Sequence, residues 1–156
     1  MENVAIEEAR WPEDRDAVLA LFRAYVKSLD IDLSFQDVDT EFATLPGKYA
    51  RPGGLLLVAR EGAGLAGTVA YRTFADGICE MKRLYVPPER RGQAIGRRLC
   101  DRLLDEARAA GYRRMILDTG DWLVAAGALY RALGFAEIPA YYHNPIPGTV
   151  YMARDL

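Results

Sequence analysis

The stretch from Glu80 to Gly96 constrains this chain most, because it joins an apolar strand to a helix through a basic loop that contains glycine. A Pro-Pro pair ends the strand, and the amphipathic pattern of residues 94–110 predicts the helix. The first N–H groups of a helix have no partner within it and lie at the positive end of its dipole. The stretch therefore predicts an anion site, where Gly92 and Gly96 let an oxyanion approach the main chain closely. The alternative is an ordinary strand-loop-helix connection with solvated arginines.

The length of 156 residues and the hydrophobic content of 51% predict a single domain over residues 1–156. Predicted strands cover residues 4–9, 55–60, 65–74, 78–86, 115–117, 135–138 and 149–152. Predicted helices start at Trp11-Pro12, around Phe35 to Leu45, at Ala94 and after Asp121, which we expect to cap the last of them. The apolar run of residues 115–117 follows a helix, so it predicts a strand that lies parallel to its neighbour. The fold class is α/β (α+β), with a mixed, mostly antiparallel central sheet of about seven strands flanked by about four helices.

Composition excludes several kinds of site. The chain has two cysteines and one histidine, without metal-ligand spacing, so we expect no metal and no disulfide framework. It has no long uncharged apolar run and no basic or apolar leader at Met1, so we expect no membrane contact and a cytoplasmic protein. Residues 82–98 hold six basic residues against one acidic residue, whereas residues 1–46 hold eleven acidic residues against four basic ones. This contrast favours a small polyanion over nucleic acid as the ligand of the basic loop.

Arg91-x-x-Ala94-x-Gly96 resembles the (Gln/Arg)-x-x-Gly-x-(Gly/Ala) signature of the GCN5-related N-acetyltransferase superfamily. Leu84-Tyr85-Val86 before the loop and the run from Leu129 to Phe135 after it follow in the order of that superfamily, and the resemblance covers roughly residues 50–138. Ala94 replaces the middle glycine, and as a helical residue it should tolerate the added Cβ. The resemblance implies an enzyme that uses acetyl-CoA as cosubstrate, without a metal.

The resemblance also implies where acetyl-CoA binds. The main chain of one strand would pair with the pantetheine arm, and the loop and helix start would hold the pyrophosphate. These cofactor-binding residues are Leu84, Tyr85, Val86, Arg91, Gly92, Gln93, Ala94, Ile95, Gly96 and Arg97. An N–H near Leu84 would stabilise the oxyanion.

Two residues are candidates for proton transfer. The motif around Tyr130 resembles the place where many members carry a tyrosine that protonates the leaving thiolate, and a phenol is protonated at neutral pH. The alternative is that Tyr130 only packs. Glu80 matches a strand position at which histone-acetylating members carry a catalytic base, although it could instead pair with a neighbouring charge. His143 is a rival base.

The acceptor is expected to be a primary amine of a small molecule or peptide, acetylated directly in a ternary complex. The loop that contains Tyr141 and Asn144 is a candidate acceptor site, or a rigid cover for the sheet. Amino acids, polyamines, aminoglycosides, peptide termini and protein lysines all remain open, and the acidic residues Asp37, Asp39 and Glu41 either attract a cationic amine or form a solvated helix face.

Two other functions remain open. A non-catalytic acyl-CoA sensor would share the loop but would not need Tyr130. Nucleic-acid binding would use the arginines of the basic loop and the helix that follows it, namely Arg90, Arg91, Arg97 and Arg98. A homodimer is compatible with the sequence, which leaves the oligomeric state open.

Overall fold

Seven strands form one sheet in the computed structural model, which describes residues 3–33 and 36–156. The strands are β1 (Val4–Glu8), β2 (Leu55–Glu61), β3 (Gly64–Ala75), β4 (Ile78–Tyr85), β5 (Arg114–Gly120), β6 (Ala136–Ile138) and β7 (Thr149–Asp155). Their order is β1-β2-β3-β4-β5-β7-β6, and every neighbouring pair is antiparallel except β4 and β5. The predicted sheet, with its single parallel pair after a helical crossover, is confirmed.

Within the described residues, four α-helices connect and cover the strands: α1 (Arg15–Leu29), α2 (Val38–Ala43), α3 (Ile95–Ala109) and α4 (Val124–Ala132). Short 3-10 helices at Gly47–Tyr49 and Pro88–Arg90 lie in the loops before β2 and after β4.

Each face of the sheet packs against different helices, because successive side chains of a strand point to opposite faces. On one face, Leu57, Tyr71 and Met115 pack against Leu99 and Leu103 of α3. On the other face, Leu56, Val58 and Ala70 pack against Val18 and Phe22 of α1. A ligand that passes between two strands would therefore contact both helical layers.

The predicted helix starts need two corrections. Helix α1 begins at Arg15 rather than at Pro12, and Asp14 accepts a hydrogen bond from the Arg10 backbone N–H at 2.7 Å. Helix α4 begins at Val124 after Leu123, so Asp121 does not cap it. The Asp121 backbone N–H donates instead to the Gly148 carbonyl at 2.9 Å, which ties the start of this helix to the loop before β7.

Two expectations fall on parts of the chain that the structure does not describe. Phe35, which supported the second predicted helix, and Met1, where no leader was expected, both lie outside residues 3–33 and 36–156. Across those two ranges, no helix is long and apolar enough to cross a membrane.

Candidate active site

The parallel strands β4 and β5 separate partway along their length. They pair only between Ile78–Glu80 and Arg114–Ile116, although both strands continue beyond that point. The β4 edge that follows Glu80 is therefore left with main-chain groups that face a gap rather than a neighbouring strand. Such an edge can accept an extended ligand as an added strand.

A bulge in β4 bends the strand at this gap. Lys82 pairs with Ala70 and Tyr85 pairs with Thr68, so β4 has one more residue than β3 between these two pairs. Arg83 lies in the bulge and has a φ of 62°, a left-handed conformation that is uncommon outside glycine. The Thr68 hydroxyl donates to the Arg83 carbonyl at 3.0 Å, which fixes the bulged peptide.

The Arg83 side chain holds the bulge in place from the other side. Its guanidinium is buried and donates two hydrogen bonds to the Glu41 carboxylate, each at 2.8 Å. It also donates to Gln36 Oε1 at 3.0 Å. Bidentate pairing of this kind fixes both partners in orientation. Glu41 is therefore not a solvated residue that attracts amines, because it is the partner of Arg83.

The gap opens into a cavity of about 740 Å³, a typical size for a small-molecule site. Tyr25 and Leu29 of α1 line it on one face of the sheet, and Leu129 and Tyr130 of α4 line it on the other. The cavity also contains nine of the ten predicted cofactor-binding residues: Leu84, Tyr85, Val86, Arg91, Gly92, Ala94, Ile95, Gly96 and Arg97. The tenth, Gln93, is exposed beside Arg90 and lies outside the cavity wall.

The start of α3 differs from its prediction at Ala94. Helix α3 begins at Ile95, and Ala94 precedes it in the left-handed region, with a φ of 57° and a ψ of 23°. The expectation that a helical residue tolerates the extra Cβ was wrong, because this residue is not helical. The glycine of the superfamily pattern suits such a conformation, and alanine adopts it at a cost of about 1 kcal/mol.

We expect Ala94→Gly to stabilise the protein by about 1 kcal/mol, because glycine relieves the left-handed strain at this position. For a domain of this size, this corresponds to a rise in Tm of about 3 °C, measurable by calorimetry. Gly92→Ala is the reverse control: its φ is 88°, so the added Cβ should lower Tm even though open space surrounds it. A lower Tm for Ala94→Gly would contradict the strain at Ala94.

The arginines around the loop have partners within the chain. Arg90 pairs with Glu61, Arg91 Nε donates to the Val86 carbonyl at 3.1 Å, and Arg97 lies 3.5 Å from Asp101. Arg98 donates to the Val4 carbonyl at 2.6 Å. These contacts engage all four guanidinium groups within the chain, two of them with carboxylates, which reduces the positive charge that nucleic-acid binding would need.

Tyr130 lies in the large cavity and is mostly buried. Its ring packs against Phe135 at a centroid distance of 5.9 Å. Its hydroxyl makes no hydrogen bond to any residue in the described ranges. Burial raises the pKa of Tyr130 well above its usual value, so this phenol keeps its proton throughout the neutral range. The structure thus places a proton donor in the cavity.

Glu80 lies in a second, smaller cavity of about 360 Å³ that adjoins the first through Gln36 and Lys82. The Glu80 carboxylate is fully buried and accepts hydrogen bonds from Arg72 Nε at 2.9 Å and from the Tyr141 hydroxyl at 2.6 Å. The predicted pairing with a neighbouring charge is therefore present. A carboxylate beside a cavity can also accept a proton.

Asp118 is a cavity residue that was not singled out from the sequence. It lies on β5 in the large cavity and accepts hydrogen bonds from the Tyr142 hydroxyl and from Asn144 Nδ2, the latter at 3.0 Å. Its position directly after the apolar run of residues 115–117 was a usable signal, because ligands of parallel strands collect at their carboxyl ends.

The loop before β7 contributes directly to both cavities. Tyr141 reaches Glu80, and Asn144 reaches Asp118 and lines the large cavity. Tyr141 also packs edge-on against Phe74 and Tyr151, so it is held rigidly. His143 is exposed. This loop therefore covers the end of the sheet, and its polar groups line the cavities.

No group of three or more His, Cys, Asp or Glu side chains could hold a metal ion among the residues that the structure describes. Cys79 and Cys100 are both buried free thiols. Burial raises the pKa of each thiol to about 12, so neither is a reactive thiolate at neutral pH.

Comparison with known proteins identifies the family and the fold. The sequence profile of the Acetyltransferase (GNAT) family matches residues 15–135. An uncharacterized N-acetyltransferase of Schizosaccharomyces pombe is 43% identical over 156 residues, which cover 99% of this chain and 96% of that protein. A GNAT-family acetyltransferase from Staphylococcus aureus has a TM-score of 0.82 at 19% identity, covering 98% of this chain and 99% of that one. A Salmonella typhimurium structure described as a putative acetyltransferase with acetyl-CoA has a TM-score of 0.74 at 24% identity, covering 98% and 94%.

Proposed function

The chain belongs to the acetyltransferase (GNAT) family and is an acetyl-CoA-dependent N-acetyltransferase, and from that membership we propose that it moves the acetyl group directly to a primary amine of a small molecule or peptide. The observation that carries the proposal is the single cavity that joins the start of α3, the unpaired edge of β4 and the Tyr130 hydroxyl. One molecule of acetyl-CoA that spans this cavity would meet all three. The related structure from Salmonella typhimurium, described as containing acetyl-CoA, supports the same cosubstrate here.

The proposed roles follow from position. The N–H groups at the start of α3 bind the pyrophosphate, and Gly92 and Gly96 leave room for it. Main-chain groups of Leu84 and Val86 orient the pantetheine arm, and an N–H near Leu84 stabilises the oxyanion. Tyr130 protonates the thiolate as the C–S bond breaks.

A carboxylate takes the proton that the acceptor ammonium loses before it attacks. Glu80 is the base predicted from the sequence, and it would act through water because its cavity adjoins that of Tyr130. Asp118 is a second candidate, favoured by its place in the same cavity as Tyr130. Both of the buried thiols are protonated, which supports direct transfer without an acyl-cysteine.

Two free thiols that form no disulfide are consistent with a reducing compartment, which supports the cytoplasm as the proposed location.

The experiment that tests the proposal is a panel of primary amines with acetyl-CoA, in which free thiol release is followed over time. We expect release that depends on one class of amine and yields the N-acetyl product. Acetyl-CoA binding by calorimetry without acceptor-dependent release would instead identify an acyl-CoA sensor.

We expect Glu80→Gln to lower kcat/KM for the acceptor about 100-fold at neutral pH, with a smaller loss at higher pH. Below the pKa of the amine the acceptor enters as an ammonium ion and needs a base, whereas above it the free amine does not. The Gln carbonyl can still accept a hydrogen bond from Arg72, so folding should persist. Asp118→Asn is the matched variant: the carboxylate whose removal changes the pH profile is the base. An unaltered profile for Glu80→Gln would exclude Glu80.

A further inference from the structure

We propose that the acceptor is a small amine that also carries a carboxylate, as an amino acid does, with Lys82 binding the carboxylate and Asp118 facing the ammonium group. The inference rests on the proposed acetyl transfer and assigns its substrate class. It comes from a cation and an anion, Lys82 and Asp118, that lie where the two cavities adjoin. These two side chains do not form a close ion pair with each other.

Lys82 is a mostly buried cation without a hydrogen-bonded partner among the described residues. Its side chain is 11% exposed and lines both cavities. Its nearest carboxylate oxygen belongs to Glu80, at 3.8 Å, too far for a hydrogen bond. Glu80 is already held by Arg72 and Tyr141. Within residues 3–33 and 36–156, the Lys82 ammonium thus keeps its donors free for a ligand.

Asp118 is the complementary anion. Its hydrogen-bond partners, Tyr142 and Asn144, are neutral, and no cation of the described chain forms an ion pair with it. The register places it opposite Lys82: Glu80 pairs with Ile116, and each of the two residues lies two positions further along its strand. Both side chains therefore leave the sheet on the same face, on either side of the gap.

Other charges of this region are already satisfied. Arg83 is paired with Glu41, and Arg72 is paired with Glu80. Among the described residues that line the two cavities, Asp37 and Lys48 are also unpaired but are exposed to solvent. Lys82 and Asp118 are the less exposed cation and anion that remain, and together they match a zwitterion. Burial lowers the pKa of Lys82, and the negative charges of the nearby Glu80 and Asp118 carboxylates oppose that change. Lys82 and Asp118 are thus close enough to interact electrostatically.

Acceptors that carry only positive charge fit less well. A polyamine or an aminoglycoside would bring a second cation against Lys82 and Arg72, where like charges repel and little water screens them. A ligand carboxylate at Lys82 removes the cost of a buried cation without a close partner. Glu41, one of the acidic residues that could have attracted a cationic amine, does not alter this, because it is bound to Arg83.

The experiment compares each common L-amino acid with its α-carboxamide as acceptor for the purified full-length chain. Wild-type protein should prefer the acid over the amide by more than about tenfold in kcat/KM for at least one pair, because a buried hydrogen bond to a charged group contributes that much. Lys82→Met should remove most of this preference through a higher KM for the acid, with the KM for acetyl-CoA unchanged. Lys82→Arg, which keeps the charge, should retain part of it.

Lys27→Met is the control for general charge effects, because Lys27 is exposed on α1 and lines neither cavity. For each acceptor, kcat/KM of the variant is divided by kcat/KM of the wild type. This ratio removes the intrinsic reactivity of the amine. Acetylation of amides and acids alike by the wild type, or a preference that survives Lys82→Met, would overturn this inference and leave the acetyltransferase assignment intact. Should Lys82→Met not fold, Lys82→Gln replaces it in the same ratio. Absence of acetylation with every amine would overturn the proposed function as well.

Discussion

Replacing Tyr130 with phenylalanine is expected to lower kcat about 100-fold and to leave the affinity for acetyl-CoA unchanged. The substitution removes only the hydroxyl, so the ring still packs against Phe135. Without the phenol, the thiolate must leave without a positioned acid, and general acid catalysis contributes about this much. The measurements are thiol release at saturating substrates and calorimetric titration with acetyl-CoA.

Tyr112→Phe is the matched control for this prediction. The Tyr112 hydroxyl donates to the Gly53 carbonyl at 2.6 Å and lies outside the large cavity. Its loss should lower the free energy of unfolding by about 1 kcal/mol without changing kcat. Full turnover by Tyr130→Phe would leave Tyr130 as a packing residue and remove it from the proposed mechanism.

Replacing Gly96 with glutamate is expected to weaken acetyl-CoA binding at least about 100-fold. Gly96 is the second residue of α3 and lines the large cavity. A carboxylate there would repel the pyrophosphate and would itself occupy the positive end of the helix. Calorimetric titration measures the affinity, and a thermal melt shows whether the variant is folded.

Gly96→Ala is the control, because it adds a side chain without a charge. Its Cβ would lie 3.7 Å from Leu129 and 3.8 Å from Val86, which are ordinary packing distances. We expect acetyl-CoA affinity within about threefold of wild type, since a helical alanine is not strained. Unchanged affinity in Gly96→Glu would mean that the diphosphate binds elsewhere and that the loop has been misinterpreted.

Local motifs predicted a set of cofactor-side residues that lie together in the structure. The basic loop, the start of α3 and Tyr130 all come together in one cavity. A strand, a tight loop and a helix that follow one another can be arranged in few ways. The order of these elements in the sequence therefore predicts how the basic loop and the start of α3 lie relative to β4. The error at Ala94 arises from the helix boundary, which sequence locates only to within one or two residues.

The acceptor side was harder to predict because its contacts are long-range. Glu80 is held by Arg72 from the adjacent strand and by Tyr141 from a loop far along the chain. The position of Asp118 directly after an apolar run could be read from the sequence. Its place in the cavity depends on the separation of β4 from β5, which the sequence does not show. The bulge at Arg83 has no such signal, since an arginine rarely adopts a positive φ.

The ion pair between Arg83 and Glu41 joins the bulged strand β4 to helix α2. The peptide that would face the thioester keeps its shape through a side chain of α2, on the acceptor side of the molecule. A chimaera that receives the segment around α2 from a relative would therefore need an acid at position 41 as well. Without that acidic residue, exchanging the segment to alter substrate choice should also disturb the reaction of acetyl-CoA, the acetyl donor.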